Sequence, residues 1–255
     1  MIERLFKYQA SSDYDSYTVS YTWHKKRRGL RELFALALAG CRPPRPAVLD
    51  VGCGDGFDLF MLRNLPASRR VLRFVGVDLD PAGIAYCQAR AAFEGCADME
   101  FRLRDVVQAP LGPAEQADII VCSEVIEHLV EPGSLITSLA AALPPGGFLI
   151  LTTPNGASWS GRLKRALGLA PSPPLAEGGS VGHISVRGRK EWRKLCRQAG
   201  LSLIAERRGS LLYGSPATDR CRWFAGLTIA LDGILDALRL KDLSWETLQL
   251  YRRTR

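Results

Sequence analysis

Short apolar runs alternate with longer stretches of helical periodicity through most of this chain. This alternation is typical of repeated βα units around a parallel sheet. The runs predict strands at Ala47–Val51, Phe74–Asp78, Met99–Leu103, Asp118–Cys122, Phe148–Thr152, Leu201–Ala205 and Thr247–Arg252, the last as an edge strand. The periodic stretches predict helices near Asp58–Leu65, Pro81–Phe93, Pro132–Leu143, Ser158–Leu169 and Arg189–Gln198.

Three segments interrupt this rhythm. An amphipathic helix with a basic start precedes the first strand and ends at Gly40, before a proline cluster. A Pro/Gly-rich loop covers Pro171–Gly182. Ser210–Asp242 contains an apolar helical face, which could rest on a membrane but which we expect to pack on the protein's own core; it is formed by Leu227, Leu231, Ile234, Leu235 and Leu238. We predict one domain over 1–255, with an N-terminal helical cover (1–44), a cofactor-binding core (45–155) and acceptor-side insertions (156–186 and 210–243).

Composition narrows the class of protein. With 255 residues, 47% of them hydrophobic, the chain can bury a substantial core. The N-terminus lacks the apolar run of a secretory signal, and the seven cysteines are scattered without metal-site spacing, so we expect a cytoplasmic protein. The apolar stretch Trp223–Leu238 contains two aspartates and is too short to span a bilayer, so no transmembrane segment is predicted.

The net charge of +8 is concentrated in the last quarter of the chain. Residues 1–186 hold 19 basic and 19 acidic side chains, whereas residues 187–255 hold 15 and 7. This asymmetry indicates either a surface for an anionic partner or a basic face that only contacts solvent.

A glycine-rich loop follows the first predicted strand. It reads Asp50-Val51-Gly52-Cys53-Gly54-Asp55-Gly56, and glycines at the carboxyl end of a parallel strand let a nucleotide-like ligand approach the backbone. Dinucleotide-binding folds use the spacing G-x-G-x-x-G, but here the third glycine comes one residue early. The spacing therefore disfavours a nicotinamide enzyme.

Acidic residues end the next two predicted strands. Asp78 can accept hydrogen bonds from both hydroxyls of a ribose, and Asp105 from an adenine amino group, although Asp105 also fits an ordinary surface turn. We predict that Leu79, Val106 and Ser123 complete the same ligand site.

The glycine loop resembles motif I of the class I S-adenosylmethionine-dependent methyltransferases, and Gly76–Asp80 and Asp105 match later motifs in order. The resemblance implies a Rossmann-like α/β fold, a seven-stranded sheet whose last strand is antiparallel, carrying helical insertions. It also implies S-adenosylmethionine as the cofactor, with Asp50 orienting its amino group, Asp78 at the ribose and Asp105 at the adenine. The implied donor-binding residues are Asp50, Gly52, Cys53, Gly54, Gly56, Asp78, Leu79, Asp105, Val106 and Ser123.

The segment after the fourth predicted strand contains Glu124, Glu127 and His128, whose spacing would place them on one face of a helix. Such a group could bind a divalent cation, or one member could act as a general base. A second histidine, His183, lies at the end of the Pro/Gly loop, which could close over the site. We predict His128, His183 and Glu124 as catalytic residues because a hydroxyl acceptor needs help with deprotonation.

This E-x-x-E-H pattern with a downstream histidine resembles the ubiquinone-pathway O-methyltransferases and the bacterial small-RNA 3′-terminal 2′-O-methyltransferases. In the RNA group the corresponding residues hold Mg²⁺, which would assign Glu124, Glu127, His128 and His183 as metal ligands. In many other relatives the pattern carries no metal and shapes the cofactor pocket instead.

Three functions stay open at this point. The first is O-methylation of a small-molecule, glycan or lipid-linked hydroxyl, because the insertions mix basic and aromatic residues. The second is Mg²⁺-dependent methylation of an RNA 3′ end, although no RNA-binding module is recognisable. The third is a non-catalytic protein that binds through its basic last quarter. The amino-acid sequence gives no information on the oligomeric state of the protein.

Overall fold

A computed structural model describes residues 17–112, 115–168, 183–211, 221–238 and 243–254. Its strands form one seven-stranded sheet in the order β3-β2-β1-β4-β5-β7-β6. The strands are β1 (Ala47–Val51), β2 (Arg73–Asp78), β3 (Met99–Leu103), β4 (Ile119–Ser123), β5 (Phe148–Pro154), β6 (Leu201–Arg208) and β7 (Glu246–Arg253).

Strands β1 to β5 pair in parallel, and β7 runs antiparallel to both of its neighbours, β5 and β6. This confirms the predicted α/β fold class with its antiparallel last strand. The expectation that Thr247–Arg252 forms an edge strand is wrong, because β7 lies inside the sheet. Its buried leucines and Tyr251 match this interior position, and the edges are β3 and β6.

Helices connect and cover the strands. They are α1 (Tyr17–Gly40), α2 (Phe57–Arg63), α3 (Pro81–Phe93), α4 (Pro132–Ala142), α5 (Trp159–Ala166), α6 (Arg189–Gln198) and α7 (Arg222–Ala237), with 3₁₀ turns at Pro66–Arg70 and Ile126–His128. The predicted Pro/Gly loop Pro171–Gly182 lies outside the described residues, as do 212–220 and 239–242 of the second insertion.

The core is divided between the two faces of the sheet. On one face α1 packs Leu30, Leu33 and Phe34, all fully buried, together with apolar side chains from α2 and α3. On the other face α4 and α6 cover the sheet, with Trp192 of α6 fully buried. Helix α1 is thus the amphipathic helix predicted before the first strand, and its apolar face is the buried one.

The start of α3 follows the predicted capping pattern. The Asp80 carboxylate accepts hydrogen bonds from the backbone N–H groups of Ala82 (3.0 Å) and Gly83 (3.2 Å), and Pro81 occupies the first turn. This cap fixes the direction in which the chain leaves β2, next to the glycine loop.

The apolar face predicted within the second insertion does not pack wholly on the core. Leu231 and Leu235 are half-buried, but Leu227, Ile234 and Leu238 are exposed. The buried positions of α7 are instead Ala225, Thr228 and Asp232, the last of which is an acceptor for several side chains of the main body. Because Asp232 must stay with its hydrogen-bond donors, part of the apolar face points outward.

Candidate functional site

A cavity of about 820 Å³ opens at the carboxyl ends of β1 and β4. Residues of the glycine loop, of the start of α2, of α3 and of α1 form its walls. Five of the residues predicted from the sequence to bind the donor or take part in the reaction line it, namely Asp50, Gly52, Cys53, Ser123 and Glu124.

The three glycines of the loop all adopt left-handed backbone conformations, with φ of 76° at Gly52, 52° at Gly54 and 73° at Gly56. At Gly52 a Cβ atom would lie 2.2 Å from Cγ2 of Val125. Gly52 N–H and Cys53 N–H donate to the carbonyl of Val77, which ties the loop to β2. Conformation and space both require glycine at position 52.

Asp78 stands where β2 ends. Its Oδ2 accepts a hydrogen bond from Gly54 N–H at 2.8 Å, and its Oδ1 accepts one from Asp80 N–H at 2.9 Å. Asp78 thus supports the glycine loop directly. The ribose-binding role is compatible with this position and stays a prediction.

Asp105 follows β3, and its Oδ1 accepts hydrogen bonds from the N–H groups of Val107 (2.9 Å) and Gln108 (3.1 Å). This is the geometry of a local turn, which was the alternative interpretation of Asp105. Leu79 is 71% exposed and Val106 is half-buried, and neither lines the cavity in this conformation. The adenine-side contacts stay predictions.

Asp50 is buried in the floor of the cavity, with 2% of its surface exposed. Among the described residues its Oδ1 has no hydrogen-bond partner. Burial, and then the carboxylates of Asp58 and Asp78, raises the pKa of Asp50 well above its usual value. An ammonium group in the cavity would satisfy this oxygen and favour its ionised form, so the floor fits the amino group of the methyl donor.

Helix α1 contributes to the cavity in a way that the sequence pattern does not reveal. Trp23, His24, Lys26 and Arg27 line it, and the guanidinium of Arg27 lies 3.6 Å from the ring centroid of Phe57. The basic start of α1 was noticed in the sequence only as part of an amphipathic helix. Its position across the glycine loop depends on long-range packing.

A continuous chain of polar contacts runs along one wall. Ser123 Oγ donates to Asp58 Oδ2 (3.1 Å) and lies 2.9 Å from Oγ1 of Thr152, which is 3.0 Å from Glu124 Oε1. The buried ammonium of Lys26 is 3.2 Å from the same Glu124 oxygen. These contacts fix the Glu124 carboxylate at the boundary of the donor cavity.

The expectation that Glu124, Glu127 and His128 share one helical face is wrong. Glu124 directly follows β4 with φ of 56°, and it is the one non-glycine residue with positive φ in the described part of the chain. The 3₁₀ turn begins only at Ile126, so the Glu124 side chain turns toward Lys26. A non-glycine residue in this conformation is strained, and such strain is concentrated at functional sites.

Glu127, His128 and His183 do come together. Their ligand atoms lie within 4.8 Å of one another, and the two imidazole rings are 4.9 Å apart. The carbonyl of Glu127 accepts hydrogen bonds from the N–H groups of Ile184 and Ser185, both at 2.9 Å, which brings the downstream histidine to the segment. Glu124 is not one of these three residues; its carboxylate contacts Lys26 and Thr152 and also interacts with the carboxyl group of Glu127.

The electrostatics of this cluster suit a cation. Burial, and then the charge of Glu124, raises the pKa of Glu127 to about 9, and Glu127 Oε1 has no hydrogen-bond partner among the described residues. Burial and the neighbouring His128 lower the pKa of His183, which favours the neutral imidazole that metals bind. Two imidazoles and a carboxylate with an unsatisfied oxygen fit a divalent ion.

Curated relatives share the central part of the chain. The chain is 30% identical over 164 residues to the human protein named "Ubiquinone biosynthesis O-methyltransferase, mitochondrial". The aligned region covers 64% of this chain and 40% of that protein. The Acinetobacter baylyi protein named "Ubiquinone biosynthesis O-methyltransferase" is 32% identical over 108 residues, or 42% of this chain and 43% of that protein. The chain thus spans about two fifths of the length of these relatives.

A solved structure of magnesium protoporphyrin IX methyltransferase from Synechocystis with bound SAH aligns with a TM-score of 0.57 at 19% identity, over 90% of this chain and 84% of that one, which supports the fold. Neither curated name supports the RNA alternative. A family model described as "Methyltransferase domain" matches residues 22–206. The chain therefore belongs to the methyltransferase-domain family, and its fold is that of the class I S-adenosylmethionine-dependent methyltransferases.

Proposed function

We propose that the protein transfers the methyl group of S-adenosylmethionine to a hydroxyl group of a small-molecule or lipid-linked acceptor. The observation that carries this proposal is the adjacency of two sites. Glu124 lines the donor cavity, and its carboxylate interacts electrostatically with Glu127 and His183 of the cluster that also contains His128. Donor and deprotonating groups are thus close enough to act on one acceptor.

The donor would be held by the glycine loop and by charge complementarity. Asp50 offers its unsatisfied oxygen to the donor amino group, and Asp78 to the ribose after a small adjustment of its loop contacts. We assign the donor carboxylate to the positive charge of Arg27 and Arg90, which line the cavity wall. The bound donor supplies a methyl group already activated on a sulfonium, so the protein has to orient and deprotonate the acceptor.

The acceptor proposal is narrowed by the relatives, whose names refer to ubiquinone biosynthesis. If the acceptor is likewise an intermediate in ubiquinone biosynthesis, it carries its hydroxyl group on a molecule joined to a lipid. Phenolic hydroxyls titrate near pH ~10, so a base with modest help can deprotonate one. A glycan hydroxyl is a weaker acid than a phenol, so the site would have to supply a stronger base or more stabilisation of the alkoxide. The acceptor-side role of the two insertions and a cytoplasmic location stay predictions.

The first experiment is a titration of the protein with S-adenosylmethionine in a calorimeter, followed by a transfer assay with a dihydroxyphenyl acceptor. We expect a dissociation constant in the micromolar range, which corresponds to a binding free energy of about −8 kcal/mol. The product should carry the new methyl group on oxygen. Absence of donor binding would revive the non-catalytic alternative. A methyl group found on carbon or nitrogen would contradict the acceptor proposal.

We further propose that Glu127, His128 and His183 hold a divalent cation, whose role would be to polarise the acceptor hydroxyl. The resemblance implied Mg²⁺ with four ligands including Glu124. The pairing of Glu124 with Lys26 supports a site formed by the other three. Two imidazole nitrogens favour Zn²⁺ over Mg²⁺ and the carboxylate suits Mg²⁺ or Mn²⁺, so all three ions are to be compared.

Chelation is expected to reduce transfer at least ~10-fold while leaving donor binding unchanged, and added metal should restore transfer. Glu127→Gln should show the same loss without rescue by metal. The matched control is Glu131→Gln, an exposed glutamate four residues away, which should behave like the wild type. If chelated protein and Glu127→Gln both retain full transfer, the cluster works without a metal.

A further inference from the structure

A basic groove of about 490 Å³ lies between helix α6 and strand β6, away from the donor cavity. Its floor is apolar and includes Leu201 and Leu203 of β6 and the buried Tyr251 of β7. One wall is a row of cationic side chains at helical spacing along α6, namely Lys190, Arg193, Lys194 and Arg197. Part of the positive charge that the sequence concentrates in the last quarter of the chain is thus collected at one place.

The acidic residues of α6 and β6 do not neutralise this row. Residues 189–208, which comprise both elements, hold seven basic and two acidic side chains. Glu191 accepts a hydrogen bond from the backbone N–H that precedes α6, at 2.9 Å. Glu206 is 5% exposed and accepts hydrogen bonds from Arg189 (2.5 Å) and Arg193 (2.7 Å). Both carboxylates are therefore engaged, and only Arg193 of the row is paired with one of them.

The neighbouring described elements add no acidic side chain to the groove either. Helix α4 has no charged residue and contacts α6 at Leu195, which lies on the other side of that helix from the basic row. The exposed Glu131 precedes α4 on that other side. In β7 the residue opposite Leu201 is Arg253, and the acidic residue of this strand, Glu246, is buried at its opposite end.

Three positive charges of the row are uncompensated. Lys190, Lys194 and Arg197 are exposed, and none of them forms an ion pair within the described part of the chain. From Lys190 to Arg197 the row extends about 10 Å along the helix axis, at 1.5 Å per residue. The groove therefore presents a line of positive charge to a bound partner.

The strand beside this row is an edge of the sheet. One side of β6 pairs with β7, and no described strand pairs with its other side. The register shifts between Leu203 and Ala205, so the regular part of the edge next to the groove is Leu201–Leu203. An edge strand presents backbone N–H and C=O groups to which an extended peptide can add. In such complexes the main-chain hydrogen bonds provide affinity and the surrounding side chains provide specificity.

We propose that this groove binds a short acidic segment of another protein, which adds to β6 as an extended strand beside the cations of α6. Side chains on one face of a strand repeat about every 7 Å, so acidic residues at alternate positions match a cationic row of about 10 Å. The apolar floor accommodates the stems of these side chains. This interaction goes beyond the proposed methyl transfer and does not depend on it.

Other occupants fit the groove less well. A second copy of the chain would bring the same cationic row to the edge, and like charges would repel. Single-stranded nucleic acid requires exposed aromatic rings on which bases stack, but the aromatic residue of this groove, Tyr251, is 1% exposed. A membrane surface would attract the cations but would leave the backbone groups of the edge without partners.

The test is fluorescence anisotropy of the full chain with a labelled octapeptide that alternates glutamate and threonine and is blocked at both ends. We expect a dissociation constant at or below about 100 μM, which increases as salt is added. The same peptide methylated on every backbone nitrogen keeps its charge but cannot donate hydrogen bonds to the edge. It should bind at least ~10-fold more weakly than the unmethylated peptide.

Lys190→Gln combined with Lys194→Gln and Arg197→Gln should weaken binding of the octapeptide at least ~10-fold, because three ion pairs with its glutamates are lost. These side chains are exposed and have no ion-pair partner in the described ranges, so their replacement should leave the melting temperature unchanged. Donor binding by this triple variant should also be unchanged, which keeps this test separate from that of the proposed function.

Arg42→Gln combined with Arg45→Gln and Arg69→Gln is the matched control, because it removes the same charge at exposed positions outside α6. It should bind the octapeptide like the wild type. The proposal is overturned if the wild type does not bind the octapeptide, or if the α6 triple variant or the methylated peptide binds as well as its counterpart. It is also overturned if an oligothymidylate with four phosphates, equal in charge to the octapeptide, binds at least as tightly, because the groove would then recognise nucleic acid.

Discussion

Gly52→Ala is expected to weaken S-adenosylmethionine binding about 100-fold, or ~2.7 kcal/mol. At φ of 76° an alanine is strained by about 1–2 kcal/mol, and its Cβ would lie 2.2 Å from Cγ2 of Val125. Relieving that overlap requires the loop to shift relative to Val125, which disturbs the hydrogen bond that Gly52 N–H donates to the carbonyl of Val77. The loop then no longer matches the donor. Calorimetric titration with the donor measures the effect directly.

Gly95→Ala is the control for this prediction. Gly95 has φ of 65°, similar to that of Gly52, but no atom lies within 4 Å of the position that its Cβ would occupy. Alanine there should cost about 1–2 kcal/mol of folding stability and leave donor affinity unchanged. If Gly95→Ala weakened donor binding as much as Gly52→Ala, general loss of stability would explain the result and the loop geometry would not.

The strands and most helices were predictable because each signal is local. Buried parallel strands produce apolar runs, whereas a strand at the sheet edge alternates apolar and polar residues. Both patterns are local, and the sequence therefore placed the buried β1 and the edge strand β3 at the observed boundaries. The Asp80 cap before Pro81 was equally readable, since three consecutive residues determine it. The position of β7 inside the sheet was not readable, because an interior antiparallel strand and a buried edge strand share one apolar pattern.

The site was only partly predictable, because side-chain direction depends on contacts between distant segments. Glu124 does not lie on the expected helical face because its backbone is left-handed, and no glycine at this position indicates that conformation in the sequence. Its partner Lys26 comes from α1, nearly one hundred residues earlier. In α7 the periodicity marks two faces, but the buried contacts of Asp232 decide which one turns inward. Such long-range pairings leave no local signature.

Lys26→Met is expected to lower the free energy of unfolding by about 3–5 kcal/mol near neutral pH, because it leaves a carboxylate unpaired in a buried environment. Lys26 is 2% exposed and contacts Glu124 at 3.2 Å and Glu246 at 3.5 Å. Burial alone would lower the pKa of Lys26, but these two carboxylates raise it above its ordinary value. Burial opposes the ionised form of Glu124 too, and the Lys26 charge nevertheless lowers the pKa of Glu124.

The pH dependence of this loss is specific. In the wild type the lowered pKa of Glu124 stabilises the fold above its unfolded pKa of about 4.3 and that stabilisation is lost in acid. Without Lys26, burial raises the pKa of Glu124, so the variant loses stability as pH rises. Burial also raises the pKa of Glu246 to about 8. Glu246 is therefore mostly protonated near neutral pH and adds no second buried charge. The difference between variant and wild type should thus be largest near neutral pH and shrink toward pH ~4.

Denaturant unfolding of three variants tests this interpretation. Lys25→Met removes a neighbouring ammonium from the same helix, but its partner Asp232 keeps Arg208 at 3.0 Å, so the cost should be only about 1 kcal/mol. Lys26→Met combined with Glu124→Gln removes both charges and should recover much of the stability lost in the single variant. Equal losses for Lys25→Met and Lys26→Met, at every pH, would show that the buried Lys26 pair has no special role and that α1 is held across the cavity by its apolar face alone.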